Sequence, residues 1–151
     1  MCWRYVFRLE NSTGRLTCQL VPSNRPQENR TPMNQQEFVQ KWRKVTAADR
    51  KSEVQLYQEH LFDLCQLVGH PTPLEIDPGR TFFTVEEGVT KEDGGYGRAD
   101  VWYKGHFAIE YKKPGGDLEK AYKQLRQYRD SLQNPRLLIV CDFHRLIIHT
   151  N

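Results

Sequence analysis

The sequence has no apolar run approaching the roughly 18 residues that a membrane-spanning helix needs. Its N-terminus alternates apolar residues with Arg4 and Arg8 and lacks an apolar h-region, so no secretory signal is read there. Without that signal, the glycosylation sequons at Asn11 and Asn29 carry no meaning. No two of the four cysteines form a C-x-x-C pair and no two of the five histidines form H-x-x-x-H, which argues against a zinc site with closely spaced ligands. Cys65 and Cys141 sit in apolar runs and read as small core residues of a reduced, cytoplasmic protein. Charge of one sign is also scarce: 22 basic residues face 19 acidic ones. The whole excess of +3 lies in residues 1–32, where Arg4, Arg8, Arg15, Arg25 and Arg30 outnumber Glu10 and Glu28. The remainder is balanced, so the chain is no non-specific nucleic-acid sponge, and any affinity for phosphates must come from a local patch. There are no repeats and no low-complexity tracts.

What is present fits one globular α/β domain: 151 residues, 38% of them hydrophobic, are too apolar for a disordered chain. Residues 1–32 differ from the rest. Trp3–Leu9 and Leu16–Val21 read as two short strands, followed by a polar, proline-punctuated stretch from Pro22 to Pro32. Met33 and a capping box, Asn34 with Glu37, come directly after. Either 1–32 is an extension or linker upstream of a natural start at Met33, or it is an ordinary hairpin on a linker; the abrupt change favours the first. Phe38, Trp42 and Val45 continue a first helix, and Val54, Tyr57, Leu61, Leu64, Cys65 and Val68 mark a second, closed by Gly69. His70–Pro73 breaks the pattern. Strands are expected over Thr81–Glu87, Arg98–Tyr103 and Phe107–Lys112, the last two joined by a turn at Lys104–His106. Asp117 caps an amphipathic helix carrying Leu118, Ala121, Tyr122, Leu125, Tyr128 and Leu132, which ends before Asn134–Pro135. Leu137–Cys141 reads as a strand buried on both faces and Leu146–Ile148 as one more. Helix, three strands, helix and strand imply a mixed sheet flanked by helices.

Within that order, Asp100, Glu110 and Lys112 stand on the two strands of one hairpin. Glu110 and Lys112 are i and i+2, so both leave the same face. Two carboxylates and a lysine at a strand end are the groups needed to hold a hard divalent cation and meet a phosphate: Mg²⁺ takes oxygen ligands, and lysine adds a positive point charge. The bare pattern D-x9-E-x-K arises by chance in roughly a few percent of chains this long, and its plainer reading is a set of solvated charges. Its position at the strand ends, just before a capped helix, favours the functional reading.

Gly97-Arg98-Ala99-Asp100, Ile109-Glu110-Tyr111-Lys112 and the helix after them resemble the PD-(D/E)XK nuclease superfamily, whose restriction-endonuclease-like core is αβββαβ. Ala99 departs from the proline of its namesake motif. The resemblance implies Asp100 and Glu110 as metal ligands, the Tyr111 carbonyl as a third, and Lys112 as the catalytic lysine. It implies an added acidic residue on the preceding helix, with Glu53 the better match and Glu59 the lesser. Gln124 and Tyr128 resemble the Q-x-x-x-Y motif of some DNA-processing branches, although Tyr128 reads equally as a core aromatic. Lys113, Lys120, Lys123 and Arg126 would contact the DNA backbone if they are more than a solvated helix face.

A closer resemblance covers about residues 34–151. Asp63-Leu64-Cys65, Gly69-His70-Pro71-Thr72-Pro73, Glu110-Tyr-Lys-Lys, Asp117 to Leu125, Asn134-Pro135 and Val140-Cys141-Asp142 together look like the N-terminal endonuclease domain of MmeI-like restriction–modification enzymes. In those enzymes the nuclease precedes an adenine-specific DNA methyltransferase. The implied function is a Mg²⁺-dependent DNA endonuclease (Mn²⁺ as substitute) acting on double-stranded DNA, with no membrane partner. S-adenosylmethionine, the methyltransferase and a target-recognition domain would belong to a longer parent, because no N-P-P-Y or D-P-P-Y motif occurs here. Residues 33–151 thus look like a nuclease domain cut off at its C-terminus. The rival readings are a catalytically silent remnant serving as a binding or scaffold module, and a structure-specific nuclease for RNA or branched DNA outside restriction.

Overall fold

A computed structural model describes residues 3–9, 16–22, 33–46 and 53–150, and the chain falls into two compact units, Met1–Thr31 and Pro32–Asn151. The first holds an antiparallel pair, β1 (Trp3–Leu9) and β2 (Leu16–Pro22), in register from Trp3 opposite Pro22 to Leu9 opposite Leu16. The turn expected at Asn11–Gly14 and the proline-rich stretch beyond Pro22 lie outside the described residues.

The second unit opens with α1 (Gln35–Trp42), whose capping box forms as expected: the Glu37 N–H donates to Asn34 Oδ1 at 2.9 Å and the Asn34 N–H to Glu37 Oε2 at 3.1 Å. Next comes α2 (Glu53–Leu67), ended by Gly69 at φ +68°, the left-handed conformation glycine supplies without strain. The buried face of α2 keeps the middle of the apolar stripe, Tyr57, Leu61 and Cys65, but not its ends, and it takes in polar residues as well. Val54 and Val68 are exposed, whereas His60 and Asp63 are buried. Partners explain this: Asp63 accepts from Trp42 Nε1 at 3.0 Å and pairs with Lys41 at 2.7 Å, tying α1 to α2, while His60 Nδ1 lies 2.9 Å from the Tyr111 hydroxyl. Burial, helped by the nearby Lys41 charge, pushes His60 down to about 4, so it is neutral in the core. The break at His70–Pro73 also starts a one-turn helix, α3 (Pro73–Ile76), because Thr72 and Glu75 form a second capping box with Pro73 in the first turn.

Five strands follow: β3 (Phe83–Thr90), β4 (Tyr96–Tyr103), β5 (Phe107–Tyr111), β6 (Leu137–Cys141) and β7 (Leu146–Thr150), side by side in that order. All neighbours are antiparallel except β5 and β6, and that parallel pair needs a crossover. The crossover contains α4 (Leu118–Gln127), capped by Asp117 accepting from the Lys120 N–H at 2.9 Å. The fold is α/β, a mixed sheet flanked by helices, with the restriction-endonuclease-like αβββαβ order. Side chains alternate along β5. Ile109 and Tyr111 join the core with Trp42, Tyr57 and Leu61 from α1 and α2; Ala108 joins the core with Leu125 of α4 and with Tyr128 and Leu132 just after it. Leu146, Ile147 and Ile148 of the edge strand β7 remain exposed despite their apolar character.

Leu125 is fully buried beneath the crossover helix. Leu125→Ala is expected to cost about 2–5 kcal/mol in chemical denaturation, through lost burial plus a cavity. Ile148→Ala, on an exposed face, should cost less than about 1 kcal/mol.

Candidate active site

Asp100 stands where both of its neighbouring strand ladders lapse. The β4–β5 pairing ends at Val101 opposite Ile109, one step short of Asp100 and Glu110. The β3–β4 pairing runs through Val85–Val101, skips Glu86–Asp100 and resumes at Glu87–Ala99. No extra residue is inserted. Instead Glu86 takes φ +60°, a left-handed backbone that is rare for a non-glycine residue in a strand. On one side of the interruption Val85 and Val101 pack with α2; on the other, Val89 and Ala99 pack with Leu125 and Tyr128. The freed carboxylate of Asp100 accepts the Tyr111 N–H at 2.6 Å, replacing a ladder bond with a side-chain bond to the neighbouring strand.

Glu110, on the α4 face of β5, is only 3% exposed. Its Oε1 accepts from Lys112 Nζ at 2.8 Å and from Gln124 Nε2 at 2.8 Å. Its Oε2 is buried with no hydrogen-bond partner among the described residues. Gln124 Nε2 also reaches the Tyr128 hydroxyl at 3.1 Å, and Gln124 Oε1 lies 3.5 Å from Lys112 Nζ. Gly97 makes room for this chain of contacts: a Cβ there would stand 2.5 Å from the Tyr128 hydroxyl oxygen. The Lys112 stem is seated similarly, since a Cβ on Gly116 would lie 2.8 Å from Lys112 Cβ.

Electrostatics couple these groups. Burial raises Asp100 to about 6 against the Tyr111 bond and the Lys112 charge, with Glu53 and Glu86 adding to the rise. Burial first and the Asp100 charge second raise Glu110 to about 7, against its bond to Lys112. The two carboxylates therefore titrate as a pair. Burial works against charge on Lys112, but the bond to Glu110 and the charges of Glu110, Asp100 and Glu53 prevail and hold it above the usual lysine range. Lys112 is thus a firm cation at neutral pH.

Of the residues singled out in the sequence, Asp100, Glu110, Lys112, Gln124 and Tyr128 meet in this cluster. Glu53, in the first turn of α2, acts on it through its charge. Glu59 is turned elsewhere and pairs with Lys41 at 2.9 Å. The Tyr111 ring is fully buried against Tyr57 and His60, so only its backbone is available to the site. Lys113, Lys120, Lys123 and Arg126 are exposed. Sequence reading missed Glu86, whose Oε1 accepts from the Tyr57 hydroxyl at 2.5 Å and whose Oε2 accepts from Arg98 at 2.6 Å. Only the backbone reversal at Glu86 brings it here, and strand periodicity carries no sign of that. Among the described residues no three His, Cys, Asp or Glu side chains converge as a ready metal cage. A cation at the carboxylate pair would therefore need backbone and water oxygens as well. Glu110 Oε2, buried with no partner among the described residues and under the influence of the Asp100 charge, suits a hard cation of that kind.

A family model described as "MmeI, N-terminal domain" matches residues 33–150. No curated protein and no solved structure matches the chain.

Because the folded pKa values of the carboxylate pair lie above the unfolded ones of roughly 4, the folded state binds the extra protons more tightly. The stability contributed is present below about pH 4 and is lost as pH rises through about 6 to 7. Without divalent metal, Asp100→Asn should therefore melt above the parent at pH 8, and the gap should close by pH 4. Equal melting temperatures at both pH values would show that burial does not raise Asp100 above the ordinary carboxylate range.

Proposed function

The chain belongs to the family of MmeI N-terminal domains, and from that membership we propose that it is the metal-dependent endonuclease segment of a restriction–modification system, hydrolysing phosphodiester bonds of double-stranded DNA. The observation that carries this reading is the buried carboxylate pair, with one Glu110 oxygen that has no partner among the described residues and a lysine held against the other. A carboxylate buried in this way costs stability unless a cation compensates it. Asp100 and Glu110, with the Tyr111 carbonyl, are the proposed holders of Mg²⁺, or of Mn²⁺ in its place. When bound, such an ion supplies Lewis-acid stabilisation of the phosphoryl oxygens and lowers the pKa of an attacking water.

The protein's own groups divide the remaining work. Lys112, held against Glu110 as a cation, orients water and stabilises charge developing on the phosphate. Gln124 fixes the Glu110 oxygen that Lys112 also holds, and the Tyr128 hydroxyl fixes Gln124. Glu53 adds negative charge from α2, favouring a cation at the pair. Lys113, Lys120, Lys123 and Arg126 offer exposed charges to the DNA backbone, a contact that sets position and not sequence. Base readout, and the S-adenosylmethionine-dependent methyl transfer that such a system requires, are assigned to methyltransferase and target-recognition domains of a longer parent protein.

Plasmid cleavage with and without Mg²⁺ tests the proposal, with melting curves confirming that each variant folds. Asp100→Ala and Glu110→Ala should each abolish cleavage, as should a chelator. Lys112→Ala should slow it by at least about 10²–10³-fold, the cost of one positioned transition-state contact. Lys113→Ala should leave the rate within a few-fold. Metal-independent cleavage, or full activity in either carboxylate variant, would overturn the reading.

A further inference from the structure

We propose that Arg98 grips a DNA phosphate flanking the one at the carboxylate pair, and that Glu86 and Tyr57 hold its guanidinium in place for that contact; the inference rests on the nuclease reading for the identity of the polyanion. Arg98 lies on β4 two residues before Asp100, about 7 Å along the strand. Its side chain is 69% exposed, yet it is not loose: Nη1 donates to Glu86 Oε2 at 2.6 Å. Glu86 is fixed in turn by the Tyr57 hydroxyl on its other oxygen, and Tyr57 is 1% exposed and stacked on Tyr111. Tyr111 bonds Asp100 through its backbone, so the guanidinium is connected to the candidate ligand by a continuous chain of contacts.

Glu86 is committed to this arrangement, since both its oxygens already accept hydrogen bonds. Its backbone conformation, φ +60° opposite Asp100, is the kind of strain a fold retains where a side chain must be aimed. As a stabilising ion pair the contact is worth little, because the guanidinium is mostly in solvent. As a positioning device it has a clear use. A guanidinium has five N–H donors in a rigid fork, and one is committed to Glu86 among the described residues. The outward donors can take a phosphate bidentately without releasing Glu86.

The test is binding of a short labelled DNA duplex at several salt concentrations, in chelator so that no cleavage intervenes. Lys104→Ala serves as the control, an exposed cation removed from the turn at the far end of β4. Arg98→Ala should weaken binding several-fold and lower the slope of log K against log salt by about one unit, with unchanged melting. Arg98→Lys should restore the slope and only part of the affinity, because the charge returns without the fork. Lys104→Ala should leave the slope unaltered. The inference is overturned if Arg98→Ala behaves like Lys104→Ala, or if the parent binds no DNA. A parent that binds through Arg98 but never cleaves would leave this contact standing and sink the nuclease reading, so the two failures are distinguishable.

Discussion

A glutamate buried on β5, the central strand of the five-stranded sheet, has to be compensated, and the arrangement around Glu110 is organised by that need. One oxygen is satisfied twice, by the Lys112 ammonium and the Gln124 amide. The other is buried with no hydrogen-bond partner among the described residues, and the charge of Asp100 opposes that of Glu110. An apolar residue would pack there at lower cost, so the fold retains an arrangement it does not need for stability. Several otherwise unrelated features serve this one position. Gly97 is bare so that Tyr128 can reach Gln124, and Gly116 is bare so that the Lys112 stem can lie close. The β4–β5 ladder stops at Val101–Ile109, which frees the Asp100 carboxylate to accept the Tyr111 N–H next to Glu110 in sequence.

The two sides of the sheet contribute differently. From α4 and its C-cap come neutral hydrogen-bonding groups, Gln124 and Tyr128, that orient Glu110. From α2 come Glu53 and Tyr57: one acts by charge on the carboxylate pair and the other by bonding Glu86. The interruption at Glu86 and Asp100 joins these halves, since the apolar residues on either side of it belong to opposite cores. Restoring a regular ladder there would move Asp100 into ordinary strand pairing and take Glu86 away from Arg98.

Much of this was legible in the sequence because it follows short periods. The i, i+2 spacing of Glu110 and Lys112 put them on one face, and the i, i+4 spacing of Gln124 and Tyr128 put those two together on the crossover helix. Capping residues Asn34 and Asp117 marked helix starts correctly. Hydrophobic pattern failed where polar residues are buried in pairs. His60 and Asp63 belong to the inner face of α2, while the apolar Val54 and Val68 do not. The strand read at Leu146–Ile148 is present as β7, but the one-turn helix α3 was missed, because the stretch that breaks α2 also carries Thr72 and Glu75, which cap a new turn. The roles of Glu86 and Arg98 were hidden because they depend on a single backbone reversal, and a glutamate gives no warning of one.

Glu110 is a buried carboxylate, and a divalent cation is its proposed ligand partner. Carboxyl ¹³C NMR of Glu110 through a pH titration, with and without Mg²⁺, measures it directly. The account predicts a midpoint raised well above the ordinary glutamate range in chelator, and a fall of that midpoint when Mg²⁺ is added, because the cation favours the charged form. A midpoint that Mg²⁺ leaves unmoved would contradict it.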